Sequence, residues 1–445
     1  MENPIIISGE ARTFDVLKTV LKLAYPVILS NLLYTIESAF SIILVSGISS
    51  TAVAAVGYSA SMLWFIYSFM ALSYTGTSVL VAQRKGARKD PSPAFVWGLL
   101  ISFLIALPLT FWGTDLVAML MLSFGASDQV VSLAKKYLDP IFMFITVGFI
   151  TNTVYAAYNG YGDTKTPFKV ALLMNITNIL TAYLLIYGRF GMPALGVYGA
   201  GLGVAISEVV GLLVYVILYL FYRKPFEVSF RFDLSELKEF LRIGTPTAFE
   251  RGITSLSFNI FVGFLASFGD KVLAAHQVGL RVESVSFMIG FGFMVASTVI
   301  SGQNWGAGNY QGLDKAVSVI AHTTAFTMGL LALPMLMFPS YLSMIFTKDP
   351  EVIKYASYYL MLVALSQPQM AYASIYSGAL KGMGKTALTM WINILSFWLF
   401  RIVPSYLLLP VFKSPLVPWI FMSVEMTLRS LLFHSVYKRV MKAYL

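Results

Sequence analysis

Runs of 20 or more mostly apolar residues recur along the whole chain, separated by short clusters of charged residues, glycine and proline. A helix that crosses a bilayer needs about 20 such residues. Twelve runs meet that requirement, near 24–46, 52–81, 92–121, 135–158, 166–188 and 195–222, then 243–267, 272–302, 315–340, 351–377, 387–412 and 416–438. The runs are too long for barrel strands and lack the alternation of apolar and polar positions that a transmembrane barrel requires. The pattern predicts an all-α integral membrane protein of twelve transmembrane helices.

Composition sharpens this picture. Of 445 residues 58% are apolar and only 12% are charged, against roughly 25% charged in soluble domains. Mean hydropathy is +0.75. These values exclude a soluble enzyme, a disordered chain and a nucleic-acid binder. The net charge of +10 does not restore a nucleic-acid partner, because most charges sit in short tracts between the apolar runs. With the N-terminus inside, 20 basic residues, among them Arg84, Lys85, Arg223 and Lys381, fall in cytoplasmic segments and 7 fall outside. That bias predicts that both termini are cytoplasmic. Residues 1–22 lack the basic n-region and small-residue cleavage site of a signal peptide. With no cysteine and three scattered histidines, thiolate chemistry is excluded and neither a metal site nor another cofactor is expected.

The chain also repeats itself. At a shift of 220, Leu17, Lys18, Leu21 and Pro26 fall on Leu237, Lys238, Leu241 and Pro246, and Gln83, Gly86 and Ala87 fall on Gln303, Gly306 and Ala307. At 222, Tyr137-Leu138 falls on Tyr359-Leu360, and Gly160, Gly162 and Thr164 on Gly382, Gly384 and Thr386. Apolar composition alone yields Leu and Ala matches, but not Pro, Gln and Gly at one nearly constant offset. Six helices per repeat is an even number, so both halves enter the membrane in one orientation. The expected architecture is two pseudo-symmetric six-helix bundles, 1–222 and 243–445, joined by a cytoplasmic linker at 223–242. Such a parallel repeat places a substrate cavity between its halves and suits alternating access.

The repeated segments carry Ala274-Ala275-His276-Gln277, then Gly302-Gln303-Asn304-Trp305-Gly306-Ala307-Gly308-Asn309, and in the first half Gly76-Thr77-Ser78 and Gly160-Tyr161-Gly162-Asp163-Thr164. On these pieces the chain, from Pro26 to the last helix, resembles the multidrug and toxic compound extrusion (MATE) family, prokaryotic type. The resemblance implies an exporter that exchanges H⁺ or Na⁺ for organic cations. It does not carry over the family's coupling acids. Where many members have Asp in the first helix this chain has Ser41, and where one subgroup has Glu in the seventh it has Thr254. The tenth-helix Asp of that subgroup falls near Met370.

Each missing acid has a neighbour one turn away. Glu37 precedes Ser41 by four residues and Glu250 precedes Thr254 by four, and positions i and i+4 share a helix face. Glu37 lies near mid-depth beside Tyr34, Ser38 and Ser41, with no basic residue within a turn. An ionised carboxylate there costs at least ~2.5 kcal/mol, and an acid inside a membrane is a functional-site hypothesis by default. The alternative is a structural hydrogen bond to a neighbouring helix. Glu250 shares its face with Thr254 and Ser257; it is read either as a second coupling acid or as half of a salt bridge that fixes helix packing.

The other intramembrane polar groups divide similarly. Asn175 and Asn178, with Thr177 and Tyr183, suit coordination of Na⁺, orientation of a proton acceptor or helix–helix contact. Glu425 and Arg429 form an i,i+4 pair, with Arg401 an alternative partner for Glu425. Arg281 and Glu283 are read as charges that position helices. Glu208 has no obvious partner in the sequence. Pro26, Pro246 and Pro368 are expected to bend their helices. Residues 379–386 approach a phosphate-binding loop, but Ala379 replaces its first glycine and no strand precedes it, so a tight turn is expected.

These observations predict a multidrug antiporter, not an enzyme. Its expected partners are small organic cations, H⁺ or Na⁺ and the lipid bilayer, with no nucleic acid, and it is expected to act as a monomer in the inner (plasma) membrane of a bacterium or archaeon. The alternative is a lipid-linked saccharide flippase of the same superfamily, which calls for extra helices and a basic cavity.

Overall fold

The computed structural model describes residues 3–222 and 224–445. Arg223, counted above for topology, lies outside the described residues, as do Met1 and Glu2. The described residues contain helices and no strands. The first half holds α1 (Thr13–Ser46), α2 (Ser50–Ser68), α3 (Met70–Gly86), α4 (Ser92–Ser123), α5 (Asp128–Met143), α6 (Ile145–Tyr161), α7 (Lys165–Tyr187) and α8 (Val197–Ile217). The second holds α9 (Leu234–Ala266), α10 (Asp270–Gly306), α11 (Tyr310–Met337), the short α12 (Pro339–Met344), α13 (Pro350–Gly382), α14 (Thr386–Phe397), α15 (Val403–Phe412) and α16 (Leu416–Lys442).

Each apolar run predicted from the sequence lies in helical structure. The second run is divided between α2 and α3, the fourth between α5 and α6, and the eleventh between α14 and α15, where one π turn, Trp398–Ile402, joins them. Nine helices among the described residues are long and apolar enough to span a bilayer, and the α5–α6 pair, bent by 55°, makes a tenth. The two remaining runs occupy α9 and α13, which are 33 residues each and are interrupted by polar side chains such as Glu250 and Gln367. The helices outrun the apolar segments at their ends. Thus α1 starts at Thr13 rather than near 24, because its first turns bury Val16, Val20 and Leu23 against protein.

The chain forms two compact units. One comprises 29–81 and 90–244, and the other 4–28, 82–89 and 245–445. The core of the first gathers Val45, Ala52, Leu138, Ile141, Phe142 and Phe149. The second has one cluster around Val16, Val20, Ala296, Ile300, Ala316 and Ile320, and another around Phe261, Tyr359, Leu360 and Trp419.

Helix association in lipid depends on close packing rather than on escape from water, which favours small residues at crossings. The repeated glycines serve this purpose. A side chain on Gly160 would strike the Ser78 carbonyl, and one on its counterpart Gly382 would strike the carbonyl of Thr298. The two halves therefore repeat a backbone crossing as well as a sequence. The turn at 383–385 between α13 and α14 contains Gly384 at φ +76°, so the segment that approaches a phosphate loop is a tight helix–helix turn.

Candidate functional site

Glu37 projects from the second half of α1, a stretch with few buried side chains. Its carboxylate accepts a hydrogen bond from the Nδ2 of Asn178 in α7. Asn178 is 2% exposed, and α8 leaves room for it at Gly203, where a Cβ would lie 2.7 Å from its Oδ1. The local sequence explains the placement: a polar side chain in the α7 span must find an intraprotein partner, and the small residue on α8 lets it lie between helices.

Glu208 of α8 lies within electrostatic range of Glu37. Its carboxyl carbon would be 3.5 Å from a Cβ on Gly148 of α6. Tyr67 and Tyr137 lie within electrostatic range of Glu37, and Tyr67 within that of Glu208 as well. Two carboxylates, one amide and two phenols thus share a region within the first unit. Tyr34 packs edge-on against Trp64 at 6.5 Å. Ser38 is exposed and Ser41 half-buried. Asn175 donates to the Ala171 carbonyl at 2.8 Å, while its buried Oδ1 has no partner. Of the polar residues predicted around Glu37, Asn178 is the one that reaches its carboxylate by a direct hydrogen bond.

Glu250 of α9 has different surroundings. Lys381 Nζ approaches one carboxylate oxygen to 2.9 Å, Asn393 donates to that same oxygen at 2.9 Å, and Thr389 donates to the other at 3.4 Å. Thr254 has a buried hydroxyl with no partner. Ser257 donates to the Ile253 carbonyl and accepts from Trp398 Nε1 at 2.9 Å. By hydropathy Lys381 is a loop charge, because the apolar run stops near 377. Helix α13 continues to Gly382, which brings this lysine to Glu250.

A buried charge cluster occupies the second unit. Glu425 lies between Arg401, with Nη2 at 2.5 Å, and Arg429, with Nε at 3.1 Å. Both sequence alternatives for Glu425 are therefore realised together. Arg401 also lies over the Phe397 ring at 4.2 Å. Glu283 and Arg281 do not meet: Arg281 is exposed, while Glu283 accepts from Tyr359 at 2.5 Å and from Gln367 at 3.1 Å. Ser286 completes the chain by donating to Gln367 at 2.6 Å. No spacing rule along one helix points to Tyr359 and Gln367, since they arrive from another.

The two acids thus differ in chemistry. Glu37 has an amide partner and an acidic neighbour, whereas Glu250 has a cation. A carboxylate without a fixed cation can bind a proton or another cation and release it, whereas one held by an ammonium group is already neutralised.

The family model MatE matches residues 26–184 and 246–407, once in each half. "Probable multidrug resistance protein NorM" of Thermotoga maritima is 31% identical over 436 residues, covering 94% of this chain and 91% of that protein. "Multidrug resistance protein MdtK" of Yersinia enterocolitica is 25% identical and covers 88% and 87%. A solved structure described as MATE in the bent conformation superposes with a TM-score of 0.89 at 19% identity, over 97% of this chain and 96% of that one.

Proposed function

This chain belongs to the MatE family, and from that premise we propose that it is a secondary active multidrug efflux antiporter. It exports amphiphilic organic cations in exchange for H⁺ or Na⁺ by alternating access. It works as a monomer in the inner (plasma) membrane of a bacterium or archaeon, with both termini cytoplasmic. Its two lobes are built mainly from the sequence halves 1–222 and 243–445, with the first turns of α1 packed into the second unit.

The observation that carries this reading is the pairing of an intramembrane carboxylate, Glu37, with an amide rather than a cation. The coupling cation and the organic cation compete for this carboxylate, so each lowers the affinity for the other, and linkage makes the effect reciprocal. Asn178 positions the carboxylate, and Glu208 is a second acid within its reach. Glu250, tied to Lys381, joins the exchange only if that pair opens. The acidic character of the Glu37 region also weighs against a lipid-linked saccharide flippase, whose pyrophosphate needs basic groups. The test is dye export from proteoliposomes with a pH gradient and a Na⁺ gradient imposed separately. Export under neither gradient would reject antiport.

A further inference from the structure

The motif Gly302-Gln303-Asn304-Trp305-Gly306-Ala307-Gly308-Asn309 belongs to the second unit, whereas Glu37 belongs to the first. The described N-terminal residues lie directly on it. Ile5 N–H donates to Gln303 Oε1 at 2.7 Å, and Ile7 N–H donates to Asn304 Oδ1 at 3.0 Å. In return Asn304 Nδ2 donates to the Ile5 carbonyl at 3.0 Å, and Asn309 Nδ2 donates to the Ile7 carbonyl at 2.7 Å. Three amide side chains therefore pair with the N–H and the C=O of both Ile5 and Ile7. Gly312 admits the close approach, since a side chain there would strike the Ile7 carbonyl.

The repeat supplies a second copy. At the shift of 220 that aligns the halves, Ile7 corresponds to Glu227 and Gly312 to Ser92. In the structure Ser92 Oγ donates to the Glu227 carbonyl at 2.6 Å. Asp90 accepts from Ser229 at 3.1 Å, Tyr219 accepts from the Val228 N–H at 2.9 Å, and Trp97 Nε1 donates to the Asp233 carbonyl at 2.8 Å. Phe226 is 5% exposed and packs on Phe95 and Tyr161. The segments that lead into α1 and α9 are thus bound by equivalent positions of the repeat that does not contain the helix they enter.

The helix starts that follow are built in as deeply. Val16, Val20, Leu23, Ala24 and Val27 of α1 are at most 4% exposed and pack in the core with Ala296, Val299 and Ile320. Phe240 and Ile243 of α9 are fully buried with Val79, Leu80 and Ala94. Both compact units change chain segment beside the repeated proline, at Ile28/Leu29 after Pro26 and at Gly244/Thr245 before Pro246.

We infer that 302–312 and 90–97 are two binding sites for the chain's own backbone, and that they hold the straps 5–7 and 226–233 fastened throughout the transport cycle. The straps are anchors rather than latches, and the Gln-Asn-Trp-Gly motif is a strap receptor.

The chain has no cysteine, so an introduced pair reports alone. A Cβ on Gly9 would lie 3.2 Å from the Cβ of Gln311, close to the ~3.5–4.5 Å of a disulfide. In the variant carrying Gly9→Cys and Gln311→Cys, the oxidised protein is expected to export dye within about twofold of the reduced protein. Loss of export on oxidation, restored by reductant, would overturn the anchor in favour of a latch. Export by the cysteine-free parent in the same vesicles reads the proposed function separately. Hydrogen exchange needs no crosslink: the Ile5 and Ile7 amides of the parent should exchange as slowly as the interior amides of α10, and Asn304→Ala should speed them at least tenfold. Fast exchange in the parent, or no change in the variant, would contradict the inference.

Discussion

Asn178 of α7 donates a hydrogen bond to the carboxylate of Glu37 in α1, linking residues 141 positions apart. The amide gives the acid a fixed direction without neutralising it. A hydrogen bond to a charged group contributes about 1.5–3 kcal/mol, enough to place the carboxylate but not to replace a counterion. Asn178→Leu is therefore expected to lower export at least fivefold while the protein still purifies in folded form. Export at the parent's rate would remove Asn178 from the site.

The Glu250–Lys381 pair separates two readings of Glu250. Removing one member of a buried ion pair is strongly destabilising, on the order of 3–5 kcal/mol in full burial, and somewhat less here because Lys381 is 16% exposed. If the pair fixes helix packing, Lys381→Met lowers the melting temperature by several degrees and adding Glu250→Gln recovers most of it. If Glu250 is a coupling acid, Glu250→Gln abolishes gradient-driven export, and the double variant does not recover export even where it recovers the melting temperature.

Glu425 faces two guanidinium groups in a site where its own side chain is fully buried. Glu425→Gln leaves Arg401 and Arg429 facing each other without a counter-charge. The expected cost is about 3–5 kcal/mol, read as a large drop in thermal stability in detergent. Unchanged stability would mean that lipid or water already screens these charges.

The second strap carries a pH dependence of its own. Burial pushes the Asp90 carboxyl up, but hydrogen bonds from Ser92 and Ser229 and the nearby Arg231 charge outweigh it and hold the group below its ordinary value. A carboxylate depressed in the folded state adds stability above its unfolded pKa, near ~3.9, and loses it as pH falls further. Amide protection at 226–231 should therefore stay constant from about pH 7 to 5 and fall only below about 4. Loss of protection between pH 7 and 5 would contradict this.

The fold was legible because two strong signals agree, apolar runs of bilayer length and a repeat with nearly constant offset. What the sequence hid was tertiary. Hydropathy ends the tenth run near 377, so Lys381 reads as a loop charge, yet α13 carries it to Glu250. Periodicity places Tyr34, Ser38 and Ser41 on the face of Glu37, but its direct hydrogen bond comes from α7. Arg281 and Glu283 are close in sequence and point apart, because a spacing of two does not share a helix face. Glu208 could be recognised as an unpartnered acid in a very apolar span. Its proximity to Glu37 depends on how α1 and α8 lie within one unit, which no local pattern encodes.

The central claim is that Glu37 carries the exchanged cation. Purified Glu37→Gln protein in proteoliposomes, with a pH gradient and then a Na⁺ gradient, tests it most directly. The account predicts that dye export falls to the level of empty vesicles under both gradients, and that the folded protein binds the dye more weakly and no longer in competition with the coupling cation. Export at the parent's rate under either gradient would contradict it.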